Sequence, residues 1–225
     1  MAFIHDDQPQ SVYDAFNHFI FSSDRKLFGK LASKLEFIEM TKDIPGDVVE
    51  LGVFKGSGMM AWLKALATIS LNHKNVVGFD FFDADSTIES VQTSDQQVME
   101  SLFKDRNFDP KEGYDLVLDD ILTNAGFGNY ELVKGDVTES LVDYLDANPG
   151  FRTSVVNFDL DVEEPTEACL EAIWDRVCRG GVLIFDEYAI KQWTESNAVD
   201  RFIAKHNLKL RPTKYFAPSA FVVKN

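Results

Sequence analysis

The sequence predicts an α/β fold with a mostly parallel seven-stranded sheet, helices on both faces and an antiparallel strand at one edge. From residue 47 onward, short runs of β-branched and aromatic residues alternate with helical patterns, as in parallel strands joined by helical crossovers. Several of these strands end in acids, and open α/β sheets bind ligands at the carboxyl ends of their strands. A chain of 225 residues, 45% of them hydrophobic, suits one domain spanning residues 1–225.

The first 43 residues are predicted to be helical. Apolar side chains recur at three- and four-residue steps, among them Val12, Phe16, Leu27, Leu31 and Leu35. We expect these helices to cap the sheet or to contact another subunit in a homo-oligomer.

Strands and helices then alternate, with one long interruption. The predicted strands are residues 47–51, 76–79, 130–133, 155–158, 180–185, 208–211 and 220–223, the last two forming a hairpin. The predicted helices are residues 56–70, 138–145, 166–178 and 195–206. The insertion 83–128 holds an amphipathic helix (Ile88, Val91, Val98, Leu102) and a second helix over 114–124, and is either extra packing or a lid.

Composition limits the partners. A formal charge of −15 argues against a nucleic-acid partner, because no Lys/Arg cluster could neutralise a run of phosphates. Without an 18-residue apolar run or a signal sequence, we expect no membrane association and a cytoplasmic location. Cys169 and Cys178 share the predicted helix 166–178, roughly 13 Å apart at the usual rise per residue, and are expected to be free thiols.

Four acids follow two of the predicted strands. Asp159 and Asp161 come after strand 155–158, and Asp186 and Glu187 come after strand 180–185. If these strands are neighbours, the four carboxylates repel one another unless a cation lies between them. The pattern therefore predicts a site for a divalent cation such as Mg²⁺.

A glycine-rich turn follows the first strand. Gly52, Gly56 and Gly58 allow a sharp strand-to-helix turn and a close approach of the backbone to a ligand. Glu50, two residues before the first glycine, disfavours a pyrophosphate but can accept hydrogen bonds from an ammonium group. The turn therefore favours S-adenosylmethionine, which has an ammonium, a sulfonium and a ribose but no phosphate.

Two more acids fit that cofactor. Asp80, at the end of strand 76–79, is predicted to accept hydrogen bonds from the ribose hydroxyls. Asp136, after strand 130–133, is predicted to accept one from the adenine amino group. Each acid alone could instead cap a helix or close a turn.

A methyl donor beside a divalent-cation site predicts a metal-dependent methyltransferase, and two other functions compete with it. An NAD-linked oxidoreductase is suggested by Tyr130 and Lys134 in a Y-x-x-x-K pattern, but on a strand these side chains lie about 13 Å apart and cannot act as a pair. A non-catalytic protein or scaffold that binds adenosylmethionine is the other alternative. Magnesium-dependent calorimetric signals would separate it from an enzyme.

Six segments of the chain, in order and approximate spacing, resemble the macrocin O-methyltransferase family. They are I-P-G-D-V-V-E-L-G-V-F-K-G, G-F-D-F-F, V-K-G-D, F-D-L-D-V-E-E-P-T, G-G-V-L-I-F-D-E-Y and N-A-V-D-R-F. The resemblance covers residue 44 to the C-terminus. It implies a Rossmann-like class I methyltransferase fold, adenosylmethionine and Mg²⁺ as cofactors, and a small-molecule hydroxyl acceptor, since the family methylates sugar hydroxyls in antibiotic pathways.

The resemblance also assigns residues. It makes Asp159, Asp186 and Glu187 the metal ligands, and it makes Asp161 a nearby carboxylate that binds substrate or shares the role of general base with Asp159. The positions that it gives to the cofactor are Glu50, Gly52, Val53, Ser57, Asp80 and Asp136. The chain departs from the family pattern at Glu187, where aspartate is usual and which bears on the metal, and at Glu163, where tyrosine is usual and which bears on the substrate.

Overall fold

A seven-stranded sheet forms the centre of the molecule. The computed structural model describes residues 9–90, 93–107 and 113–225, except the side chains of residues 9 and 93–95. The strands in this part are β1 (Asp47–Leu51), β2 (Val76–Asp80), β3 (Tyr130–Lys134), β4 (Thr153–Phe158), β5 (Val177–Phe185), β6 (Arg211–Pro212) and β7 (Ala220–Val223). Their order across the sheet is β3-β2-β1-β4-β5-β7-β6.

The strand order reverses between β1 and β4. Strands β1 to β5 pair in parallel, whereas β7 pairs antiparallel with β5 and the two-residue β6 closes the edge. The predicted α/β class and the antiparallel edge are therefore confirmed. Because the connections leave β1 and β4 on opposite sides, a crevice opens between their carboxyl ends, the usual ligand position in such sheets.

Helices cover both faces of the sheet. Those in the described residues are α1 (Pro9–Phe21), α2 (Arg25–Met40), α3 (Ser57–Thr68), α4 (Ala84–Ser90), α5 (Thr93–Asp105), α6 (Tyr114–Asn124), α7 (Val137–Ala147), α8 (Glu163–Ile173) and α9 (Glu195–Lys205). One apolar core lies between the sheet and α7, α8 and α9, and a second lies between the sheet and α2, α3 and α6. No helix in the described ranges is both long and apolar enough to cross a membrane.

The helix predicted over 166–178 ends earlier than expected. Helix α8 stops at Ile173, a 3-10 turn follows, and β5 begins at Val177, so Cys178 lies on a strand while Cys169 is buried in α8. The prediction that the two cysteines share one helix was therefore wrong, although both are free thiols as expected. The strand starts early because Val177 pairs with Thr153 across the sheet, a long-range contact that local pattern does not reveal.

The apolar pattern of the N-terminal helices marks an exposed face. On α2, Leu27, Leu31 and Leu35 are 46%, 51% and 41% exposed, whereas Phe37 and Ile38 are buried. Helix α1 touches α2 through the rings of Phe19 and Phe28, whose centroids are 6.4 Å apart. The leucines do not cap the sheet, and the alternative expectation, a subunit contact, stays a prediction.

Part of the insertion 83–128 provides extra packing, one of the two predicted alternatives, while the lid stays a prediction. Helix α6 buries Leu118 and Leu122 in the core beside α3. Helices α4 and α5 instead form a small cluster around Met99 and Phe103, next to a large cavity. Val91 and the connection over 109–112 lie outside the described residues.

Candidate active site

A cavity of about 1020 Å³ opens at the carboxyl ends of β1, β2 and β4. Its lining comes from α2, the glycine turn after β1, the acids after β4, and α5 on the opposite side. Ligand pockets usually measure about 300–1,000 Å³. This cavity is therefore large enough for a nucleoside-sized cofactor together with an acceptor.

Glu50 lies at the base of the cavity and is only 2% exposed. Its Oε1 atom is 3.1 Å from Lys34 Nζ and accepts a long hydrogen bond of 3.5 Å from Asn157 Nδ2. Its Oε2 atom is buried without a hydrogen-bond partner among the described residues. Burial raises the pKa of Glu50, and the ammonium of Lys34 opposes that shift.

Two glycines make room for these groups. Gly52 has a φ of +88°, and a Cβ there would lie 2.1 Å from the carbonyl oxygen of Asp159. A Cβ on Gly58 would lie 2.1 Å from Glu50 Oε1. The glycine turn thus lets β1, β4 and the start of α3 converge on the Glu50 carboxylate.

Asp80 holds the glycine turn in place. Its Oδ2 atom accepts hydrogen bonds from the N–H groups of Val53 and Phe54 at 2.7 and 2.9 Å, and its Oδ1 atom accepts one from Phe82 at 2.9 Å. Burial raises the pKa of Asp80, and these backbone donors act against the shift. Asp80 also lines the cavity. Its predicted contact with the ribose stays a prediction.

The other predicted cofactor residues border the same space. Val53 and Ser57 line it at the glycine turn, and Ser57 is the first residue of α3. Asp136 lines it as the N-cap of α7, where its Oδ1 atom accepts a hydrogen bond of 2.9 Å from the N–H of Thr138. Asp136 therefore has the capping role that was its alternative, while the adenine contact stays a prediction.

The acids after β4 and β5 meet two lysines of α2. Lys30 Nζ is 3.1 Å from Asp159 Oδ2 and 2.5 Å from Asp186 Oδ2. Lys26 Nζ is 2.5 Å from Glu187 Oε1. The structure thus brings the predicted acids together, but it divides the three predicted metal ligands between two ammonium groups. Accordingly, no group of three or more His, Cys, Asp and Glu within the described residues is arranged to hold a metal ion.

The charges in this cluster shift one another. Burial opposes the charge of Lys30, but Asp159 and Asp186 outweigh it and raise the pKa of the ammonium above its usual value. Burial likewise favours protonation of Asp159, yet Lys30 holds the pKa of Asp159 below its usual value. Asp186 keeps a raised pKa, owing to burial and to the charge of Asp159.

Of the four acids predicted at these two strand ends, Asp161 is the one without an ion pair in the described residues. It lines the cavity, and its φ of +67° turns the chain sharply after β4. Burial, together with the charges of Asp159 and Glu187, raises the pKa of Asp161 to about 8. This carboxyl group can therefore take up or release a proton near neutral pH.

A further acid near this cluster, Glu195, was not predicted from the sequence. It is fully buried at the start of α9, and its Oε2 atom accepts a hydrogen bond of 3.1 Å from the N–H of Glu187. Burial raises its pKa well above the usual value, and the Asp161 and Asp186 charges add to the shift. Acids are common in the first turn of a helix, where they interact favourably with the helix dipole. The sequence therefore did not indicate that Glu195 contacts the backbone of Glu187.

The three α2 lysines were also missed, although the sequence did contain a signal. Lys26, Lys30 and Lys34 follow one another at four-residue steps, which places them on one face of the helix. That stripe, rather than the leucine stripe beside it, faces the strand ends. Lysines are seldom buried unless paired, and the buried acids supply the pairing.

Comparisons with known proteins agree with this architecture. CalS11, a calicheamicin methyltransferase, superposes with a TM-score of 0.75 at 24% identity, covering 97% of this chain and 87% of that one. The O-methyltransferase NovP matches with a TM-score of 0.67 at 21% identity, over 88% of this chain and 80% of that one. Among proteins with curated functions, none matches the sequence significantly.

A family model gives the more specific result. The model of macrocin O-methyltransferase (TylF) matches residues 24–214, a span that contains both the glycine turn and the two carboxylate pairs. The predicted resemblance and the predicted methyltransferase fold are both confirmed. The chain belongs to the macrocin O-methyltransferase family and is an adenosylmethionine-dependent O-methyltransferase.

Proposed function

We propose that this enzyme transfers a methyl group from adenosylmethionine to a hydroxyl group of a sugar or another natural-product acceptor. The observation that carries the proposal is the single cavity that adjoins both the Glu50 carboxylate and the acids that follow β4. A methyl donor beside Glu50 and a hydroxyl beside Asp159 and Asp161 would occupy adjoining parts of that space. Holding the two reactants next to each other is a large part of catalysis in such transfers.

The cofactor fits the chain's own groups at the β1 end. The unpartnered, buried Oε2 atom of Glu50 is suited to accept a hydrogen bond from the cofactor's ammonium group. Gly52, at the turn, borders the same cavity. We assign the ribose to Asp80 and the adenine amino group to Asp136, both at the cavity wall.

Asp161 is the better candidate for the general base. Asp159 is held by Lys30, whereas Asp161 lines the cavity and has no ion pair among the described groups, so its carboxylate is available to accept a proton. Asp161 would take the proton of the acceptor hydroxyl as the methyl group moves from the sulfonium of the cofactor to the oxygen of that hydroxyl. Phe103 and Trp193, which line the cavity and belong to the same small apolar cluster, would exclude water.

A divalent ion fits the donor chemistry of the acidic cluster. Asp159, Asp186 and Glu187 supply the oxygen ligands that Mg²⁺ prefers, and Lys30 already marks a cation position between two of them. Mg²⁺ held there would favour the alkoxide form of the acceptor hydroxyl. Asp161 and Glu195 add to the repulsion within this cluster, and a divalent ion in the place of the Lys30 ammonium would relieve more of it than that single charge does.

The acceptor is proposed by analogy with a relative. The CalS11 apo structure, with a TM-score of 0.72 and 24% identity over 97% of this chain and 88% of that one, is described as a TDP-rhamnose 3'-O-methyltransferase. We therefore propose a sugar, free or nucleotide-linked, as the acceptor class to test first. We further propose that the enzyme acts in the cytoplasm.

Helix α1 supports a homo-oligomer. Tyr13, Phe16 and Phe21 are 61%, 56% and 82% exposed, an unusual density of large apolar side chains on one helix. We propose that a second copy covers this face. Light scattering should then report a dimer or larger assembly for the wild type and a smaller one for Phe16→Asp.

Mass-spectrometric assays of methyl transfer to a panel of sugars test the reaction. We expect Asp161→Asn to lower kcat by about 10²–10⁴-fold, the usual contribution of a general base, while S-adenosylhomocysteine still binds. Asp159→Asn and Asp186→Asn should each lower turnover with Mg²⁺ present, and chelation should lower that of the wild type. Asp143→Asn, an exposed acid on α7, is the matched control. Unchanged turnover in Asp161→Asn would remove Asp161 from the mechanism.

A further inference from the structure

The lysine stripe of α2 connects the acidic cluster with the cofactor carboxylate. Lys26 pairs with Glu187, and Lys30 pairs with Asp159 and Asp186. One turn further along, Lys34 pairs with Glu50. A single helix face thus supplies the cations for the ends of β1, β4 and β5.

The contact of Lys30 is the unusual one because it bridges two carboxylates. Its Nζ atom is 3.1 Å from Asp159 Oδ2 and 2.5 Å from Asp186 Oδ2, and the side chains of Asp186 and Lys30 are 3% and 25% exposed. A divalent ion bound by the same two oxygens would need the space that the ammonium fills. Two cations at such close range also repel each other, so both cannot remain.

We propose that Lys30 is an internal cation that competes with the divalent ion for the Asp159–Asp186 pair. In the metal-free enzyme Lys30 keeps the two carboxylates together, and metal entry displaces it. This inference rests on the metal ligands named in the proposed function. Helix α2 thereby sets the affinity of the enzyme for the metal.

The competition has a consequence for the cavity. Leu27 and Leu31, on the same stretch of α2 as Lys30, line the cavity wall. Release of Lys30 removes one of the three lysine contacts that hold this stretch to the strand ends, so metal entry can alter the shape of the acceptor space while Lys26 and Lys34 keep the helix attached. The C-terminal half of α2 stays anchored by Phe37 and Ile38 in the core.

Mn²⁺ binding tests the competition directly, without an acceptor. The free ion is measured by electron paramagnetic resonance during titration of the full-length enzyme. We expect Lys30→Met to lower the Kd for Mn²⁺ at least tenfold, which corresponds to about 1.4 kcal/mol. Lys30→Arg keeps a cation and should not lower it. Lys42→Met, which removes an exposed lysine paired only with Glu39 among the described residues, is the matched control and should leave the Kd unchanged.

The outcomes separate this inference from the proposed metal site. Equal Mn²⁺ affinity in the wild type and Lys30→Met overturns the competition but leaves the metal site standing. If neither protein binds Mn²⁺ while both bind S-adenosylhomocysteine, the metal site and the competition both fail. Should Lys30→Met not fold, Lys30→Gln also removes the charge and must give the same tenfold gain.

Discussion

Replacing Gly58 by alanine tests how firmly the Glu50 carboxylate is fixed. The new Cβ would lie 2.1 Å from Glu50 Oε1, whereas ordinary contact begins at 3.4 Å, so the carboxylate must move. It has little room, because Glu50 is 2% exposed and paired with Lys34. Breaking a buried ion pair costs about 3–5 kcal/mol, and alanine returns about 1 kcal/mol of helix propensity in α3. We therefore expect Gly58→Ala to lower the free energy of unfolding by about 2–4 kcal/mol.

Two measurements check this expectation. Urea unfolding followed by tryptophan fluorescence gives the stability, and calorimetry with S-adenosylhomocysteine gives the cofactor-site affinity, which should fall at least tenfold, or by about 1.4 kcal/mol. Gly128→Ala is the control, because nothing lies within 4 Å of its Cβ position. A Gly58→Ala enzyme with wild-type stability and affinity would refute both the rigid placement of Glu50 and its contact with the ammonium group.

Other substitutions probe the pairings and the insertion. Lys34→Met should destabilise the enzyme by about 3–5 kcal/mol in urea unfolding, because it leaves the Glu50 charge buried alone, and adding Glu50→Gln should restore part of the loss. Leu118→Ala should cost about 2–5 kcal/mol of stability, since its side chain is 2% exposed in the core. Phe103→Ala, in the small cluster beside the cavity, should cost less stability than Leu118→Ala but should raise the KM for the acceptor. A larger loss of stability than in Leu118→Ala, with an unchanged KM, would argue against a lid.

The strand ends were predictable because two local signals coincide there. Runs such as V-V-E-L and S-V-V-N-F have the β-branched composition of buried strands, and acids directly after them have no use in a core. The helices between the strands then indicate a parallel sheet, in which the carboxyl ends of the strands lie at one edge. This is why Asp159, Asp161, Asp186 and Glu187 could be grouped without coordinates.

What the sequence concealed depends on contacts across the fold. The start of β5 is fixed by pairing with β4, while W-D-R-V-C-R continues a helical pattern with no glycine or proline until Gly180. On α2, one of the two predicted alternatives placed Leu27, Leu31 and Leu35 against the sheet, but the lysine stripe faces the acids at the strand ends instead. Contacts with residues far away in the sequence determine which face of α2 is buried, and the residue pattern within the helix does not indicate those contacts.

Asp80 shows that an apparently mild exchange can be severe. Its two carboxylate oxygens accept three hydrogen bonds from main-chain N–H groups in the loops that follow β1 and β2. In Asp80→Asn, the side-chain amide would point at least one N–H group toward a main-chain N–H group. Engineers who wish to admit cofactor analogues with altered sugars should therefore leave this aspartate untouched. Substitutions at Ser57 or Thr138, which also line the cavity, would change the fit of the cofactor analogue and leave the hydrogen bonds between Asp80 and the loops in place.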